Sequence, residues 1–138
     1  MTPKKIKTAT LERSLHTNYW QRTTELWESM KSNFLQEKWN AAVIDGVQAA
    51  ISANDALTTA ILGKRSISDN HMDAVWLFEQ ATQLAHPEQQ NRLRNILSLK
   101  SHVEYGPSLV KPKEGQRVVQ EVERFLMWVK AELTRVAG

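Results

Sequence analysis

The sequence predicts an all-α protein, a five-helix antiparallel up-and-down bundle. Three observations carry this reading. Gly and Pro fall almost entirely at boundaries: Pro3, Gly63, Pro87, Gly106, Pro107, Pro112, Gly115 and Gly138, with Gly46 the one inside an expected helix. The long intervals between them carry apolar residues three and four apart, the spacing of one helix face. No stretch alternates with the period of two that marks a half-buried strand.

The elements follow in order. Residues 1–8 are expected to form a flexible tail. The first helix should start near Thr8 or Thr10 and reach Gln36, with Leu15, Tyr19, Thr23, Leu26, Met30 and Phe34 on one stripe. Trp20 and Trp27 widen it. The second helix spans Trp39 to Leu62, and its alanines at 42, 49, 53, 56 and 60 let neighbours approach closely, which places it at the bundle centre. Gly63 caps it, since glycine adopts the left-handed conformation without steric cost. The third helix opens after Ser68 or Asp69, both good N-cap residues, and runs to about Ala85. Pro87 suits the first position of a fourth helix, which continues through Leu93, Ile96, Leu97, Lys100 and Val103 to Tyr105. After a loop over 106–114, Val118, Val122, Phe125, Val129, Leu133 and Val136 form the inner face of the fifth.

Bulk properties narrow the function. At 138 residues, the chain is expected to be one domain over 1–138, large enough for a core of its own. The absence of cysteine excludes disulfides, thiol catalysis and Cys-based zinc sites. The four histidines show no helical metal-ligand spacing, so neither a metal nor a cofactor is expected. No apolar run approaches the roughly 20 residues that span a bilayer, and no signal-like block follows the basic N-terminus, so a cytoplasmic protein without membrane contact is expected. The net charge of +3 permits contact with a phosphate backbone without requiring it.

One junction gathers the chemistry. Arg65 lies in the loop after the second helix, and His71 falls in the first turn of the third. A helix start attracts a phosphate oxygen and disfavours a cation, the setting of a neutral imidazole acting as general base. Arg65 would hold the phosphate and offset charge in a pentavalent transition state. Against this stands the plain alternative that Arg65 serves only to bond Asp55 or a helix C-terminus, and His71 is only a surface residue near a cap. Asp55 lies deep in the second helix, where a carboxylate is costly unless paired, and its expected partner is Arg65 or a polar group at the start of the third helix. Tyr105 is a candidate to line the same cleft. Lys64, Lys111, Lys113 and Arg117, in or beside loops, are candidates for a phosphate-attracting patch.

The run Ala53-Asn54-Asp55-Ala56-Leu57, then Gly63, Arg65 and His71, resembles the HEPN superfamily, more narrowly its stand-alone bacterial and archaeal members. The later run LSLKSHVEYG and the helix ending RFLMWVKAEL are similar to the family's last two helices, so the likeness covers nearly the whole chain. It implies an up-and-down bundle, a homodimer, and metal-independent endoribonuclease activity as a toxin, defence effector or RNA-processing enzyme. The signature is an Arg and a His separated by four to six residues, and the interval from Arg65 to His71 holds five. Two copies of the motif meet across the dimer, and the 2′-hydroxyl attacks the adjacent phosphate. Ser66 stands where active members often carry Asn, Asp or His, and it joins Asp55 and Tyr105 among the supporting residues. The alternative is a non-catalytic module that binds RNA, a nucleotide or a protein, with an antitoxin or a nucleotidyltransferase as partner.

Overall fold

The computed structural model describes residues 5–137. It is a helical bundle in which a two-stranded ladder clamps one end. In chain order the elements are β1 (Thr8–Thr10), a 3-10 turn (Arg13–Leu15), α1 (His16–Leu35), α2 (Trp39–Leu62) and β2 (Lys64–Ser66). Then come α3 (His71–Thr82), α4 (Pro87–Leu97), α5 (Lys100–Tyr105) and α6 (Pro112–Ala137).

Helix α2 is the axis of the bundle, in contact with α1, α3, α4, α5 and α6. Its alanine faces explain this: Ala42, Ala49, Ala50, Ala53 and Ala56 are fully buried. Gly46 marks the closest approach. A Cβ built there would lie 2.9 Å from Met30 Sδ and 3.3 Å from Val122 Cγ2, so α1 and α6 both press on this point. Gly46→Ala gains about 1 kcal/mol of helix propensity but overpacks the contact by about 1–3 kcal/mol. A net loss of up to about 2 kcal/mol is expected in urea unfolding, and a stabilised variant would show that Met30 yields freely.

Phe78 and Phe125 fill the space between α3 and α6, their rings 6.2 Å apart, in one core with Leu57, Leu93, Leu97 and Leu126. Polar ties set the register of neighbouring helices. Ser29 Oγ and Asn33 Nδ2 donate to the Asp45 carboxylate at 2.6 and 2.8 Å, joining α1 to α2. Trp27 Nε1 donates to Glu123 at 3.0 Å, joining α1 to α6. Among the described residues no helix is long and apolar enough to cross a membrane.

The structure corrects the sequence reading at four places. Helix α1 begins at His16, because Thr8–Thr10 pairs antiparallel with Lys64–Ser66 and so forms a strand where none was expected. Part of the expected tail is therefore tied down: Ile67 N–H donates to Lys7 C=O at 3.0 Å. Residues 1–4 of that tail lie outside the described residues. Helix α3 ends at Thr82, where Gln83 and Leu84 turn left-handed at φ 54° and 61°. The expected fourth helix is two, α4 and α5. Ser98 Oγ bonds back to Asn95 C=O at 2.7 Å, and Leu99 N–H reaches Ile96 C=O at 3.1 Å, so one turn tightens to 3-10 spacing. Helix α6 starts at Pro112, two residues before the expected Glu114.

Candidate functional site

Gly63 starts the site. Its left-handed conformation (φ 67°) ends α2 and turns the chain into β2, while its C=O accepts Leu11 N–H at 2.8 Å. Arg65 therefore sits on a strand, paired in register with Ala9, and not on a loop. The ladder fixes its backbone. Asp55 and Tyr19 fix its side chain. Arg65 Nη1 lies 3.8 Å from Asp55 Oδ2, the expected pairing, and its guanidinium carbon is 5.6 Å from the centre of the Tyr19 ring. Arg22 approaches the same ring at 5.4 Å. Tyr19 is held in turn, since Ser52 Oγ donates to its C=O at 2.8 Å.

Asp55 is 13% exposed. Burial pushes its carboxyl up to about 7, against the downward pull of the Arg65 and Arg22 charges. Near neutrality the charge on Asp55, and with it the ion pair to Arg65, is therefore sensitive to pH.

The turn from β2 to α3 is organised by hydroxyls and amides. Ser66 Oγ accepts Ser68 N–H at 3.3 Å, and Ser68 Oγ donates to Asp73 Oδ2 at 2.6 Å while accepting Asn70 N–H at 3.1 Å. Asn70, not Ser68 or Asp69, is the N-cap of α3: its Oδ1 accepts Met72 N–H at 3.0 Å. Ser68 does not fill that role because its hydroxyl is committed to Asp73. His71 is consequently the first residue of α3, half-buried, in the first turn as expected. Asn54 braces the same helix from α2, donating to Ala74 C=O at 3.1 Å.

These residues open on a cleft of about 230 Å³ lined by Asp55, Arg65, Ser66, His71 and Lys100, with Ser68–Asn70, Ile51, Ala74 and Leu97 completing the wall. The structure thus brings Asp55, Arg65, Ser66 and His71 to one place. The other candidates lie elsewhere. Tyr105, at the end of α5, is 82% exposed and does not line the cleft. Lys64 pairs with Thr10 on the strand ladder. Lys111 and Lys113 are exposed on either side of Pro112, and Arg117 lines a separate hollow with Arg92, Asn95 and Glu121. Three residues were missed. Tyr19 and Arg22 come from α1, where Tyr19 reads as one more member of the apolar stripe. Lys100 did give a signal, as the charged member of the row Leu93, Ile96, Leu97, Lys100, Val103.

Among the described residues no three His, Asp or Glu side chains are grouped to share a metal ion. The chain matches no protein-family model and no curated protein.

Proposed function

We propose that the protein is an endoribonuclease of the HEPN type working without metal at the Arg65–His71 cleft. The observation that carries this reading is the convergence of an immobilised guanidinium and an accessible imidazole on one cleft. The resemblance, clearest over residues 39–80, supports it.

In the reaction, His71 takes the proton from a ribose 2′-hydroxyl. The resulting alkoxide attacks the adjacent phosphorus, and the phosphorus–O5′ bond breaks. The products are a 2′,3′-cyclic phosphate and a 5′-hydroxyl. Arg65 faces the charge that builds on the non-bridging oxygens, where a fixed cation is worth most. The leaving O5′ needs a proton, and His71 is the only histidine lining this cleft. A second copy of the chain, turned about a two-fold axis, would supply the second imidazole, so the active species is a homodimer.

The experiment is incubation of single-stranded RNA with the protein in excess chelator. Fragments ending in a cyclic phosphate are expected, and RNA carrying 2′-O-methyl groups throughout should stay whole. Intact RNA under these conditions, or fragments with 3′-hydroxyl ends, would sink the proposal.

A second reading is favoured by one feature. Arg65 is already engaged by Asp55 and Tyr19, which suits a non-catalytic module that holds RNA, a nucleotide or a protein partner such as a nucleotidyltransferase. Saturable RNA binding without cleavage would select it.

A further inference from the structure

We propose that Lys100 forms a second phosphate subsite, so that the cleft holds two neighbouring phosphates of one RNA strand: the reacting one at Arg65 and His71, the next at Lys100. The inference rests on the cleft being an RNA site.

Three observations carry it. First, Lys100 comes from a different element, α5, yet lines the same cleft as Arg65 and His71. Two cations supplied to one groove by separate elements, β2 and α5, suit a polyanion running across it better than a single anion. Second, Lys100 is uncommitted: among the described residues it forms no ion pair, whereas Arg65 has Asp55, Arg92 has Glu88 and Glu121, Arg124 has Glu121 and Arg135 has Glu132. A half-buried lysine without a carboxylate partner gains most from an arriving phosphate. Third, the cleft of about 230 Å³ lies below the roughly 300–1,000 Å³ of pockets that enclose a small molecule. It is too small to swallow a nucleotide with its base but suits a sugar–phosphate backbone laid across it.

The lining also holds two acids. Asp55 is engaged with Arg65, and Asp69 is exposed at the rim on the β2–α3 turn. They offset part of the positive charge of the cleft and leave Arg65 and Lys100 as its two permanently charged cations. A lysine that meets a phosphate carries no sequence information, so sequence preference must come from outside the subsite.

The test is binding of a fluorescent, single-stranded 2′-O-methyl RNA, which lacks the attacking hydroxyl and so stays whole, from 50 to 200 mM salt. Each phosphate contact on a single strand contributes about 0.7 to the slope of log K against log salt. Lys100→Gln is expected to weaken binding about three- to tenfold at 50 mM salt and to flatten the slope by about 0.7, whatever the RNA sequence. Lys100→Arg should restore both. Lys38→Gln, an exposed charge change outside the cleft, should do neither. Equal affinity and slope in Lys100→Gln and wild type would overturn the subsite, as would an equal loss in Lys38→Gln. The cleavage assay separates the two ideas: binding that depends on Lys100 without any cleavage removes the ribonuclease and leaves the subsite standing. Failure of the wild type to bind RNA at all removes both.

Discussion

His71→Ala is expected to lower RNA cleavage at pH 7 by about 10²–10⁴-fold while leaving the bundle folded. The size follows from the role. A positioned acid or base contributes about that much, and Asp55, the other proton-exchanging group lining the cleft, is held against Arg65. The folded state should be little changed, because the His71 side chain takes no part in the hydrogen bonds that hold the turn and cap the helix. The cap of α3 belongs to Asn70, which accepts from Met72 N–H, and the turn is held by Ser68 and Asp73. A surface-side substitution clear of those contacts costs within about 0.5 kcal/mol. The loss should appear in kcat, since the imidazole acts on the proton in transit and contributes little to ground-state binding. Initial rates across substrate concentration, with a thermal melt of each protein, check both halves. A variant that keeps wild-type kcat would remove His71 from the chemistry. A variant that loses activity through a lowered Tm would make its role structural.

What the sequence reveals about this site depends on the range of the interactions. The helices α2 and α6 were legible because their apolar rows repeat over 24 and 26 residues, and Gly63 marks the end of α2 without ambiguity. The pairing of Asp55 with Arg65 was legible for an energetic reason: a carboxylate among alanines demands a counter-ion, and Arg65 follows closely on the capped helix end that can fold it back. The β1–β2 ladder was not legible. Each strand has three residues, too few for a period-two signature, and the partners lie on either side of α1 and α2. That ladder converts Arg65 from a loop residue to a fixed one, so the most useful fact about the site was the hardest to read.

The cap of α3 failed for a different reason. Ser68, Asp69 and Asn70 are all capable caps in succession, and the choice is made by Asp73, which captures the Ser68 hydroxyl. Of the expected basic patch, Lys64 is the neighbour of Arg65 on β2, while Lys111, Lys113 and Arg117 do not line the cleft. Lys111 and Lys113 flank the start of α6, and Arg117 faces Glu121, while the cation that reaches the cleft is Lys100. Tyr19 and Arg22 approach the site only because α1 and α2 pack in one register, which Ser52 and Tyr19 help to set. Periodicity identifies a face but does not say which level of one helix meets which level of the next.

The second large effect concerns pH. Asp55→Asn is expected to become progressively more stable than wild type as pH rises from 5 to 8. The folded-state carboxyl titrates at about 7, against an ordinary 3.8. Between these values the folded protein holds a proton that the unfolded chain releases, so wild-type stability falls as pH rises and the full cost is reached above about 7. At 1.36 kcal/mol per pH unit the whole interval is worth roughly 4 kcal/mol, of which about 3 kcal/mol is incurred between pH 5 and 8. Asparagine carries no charge to desolvate, so its contribution is flat across this range. The growing difference corresponds to roughly 10 °C in Tm for a domain of this size. Urea unfolding of both proteins at pH 5, 6.5 and 8 measures it, and parallel stability profiles would show that Asp55 does not titrate in this window. The same substitution releases Arg65, which then has only the Tyr19 ring to hold it. A carboxylate that destabilises the fold at neutral pH, yet is set against the arginine of the cleft, is the pattern expected where stability is spent to position a functional side chain. The stabilised Asp55→Asn protein should therefore be the poorer ribonuclease, and one that is both more stable and as active would leave Asp55 without a role.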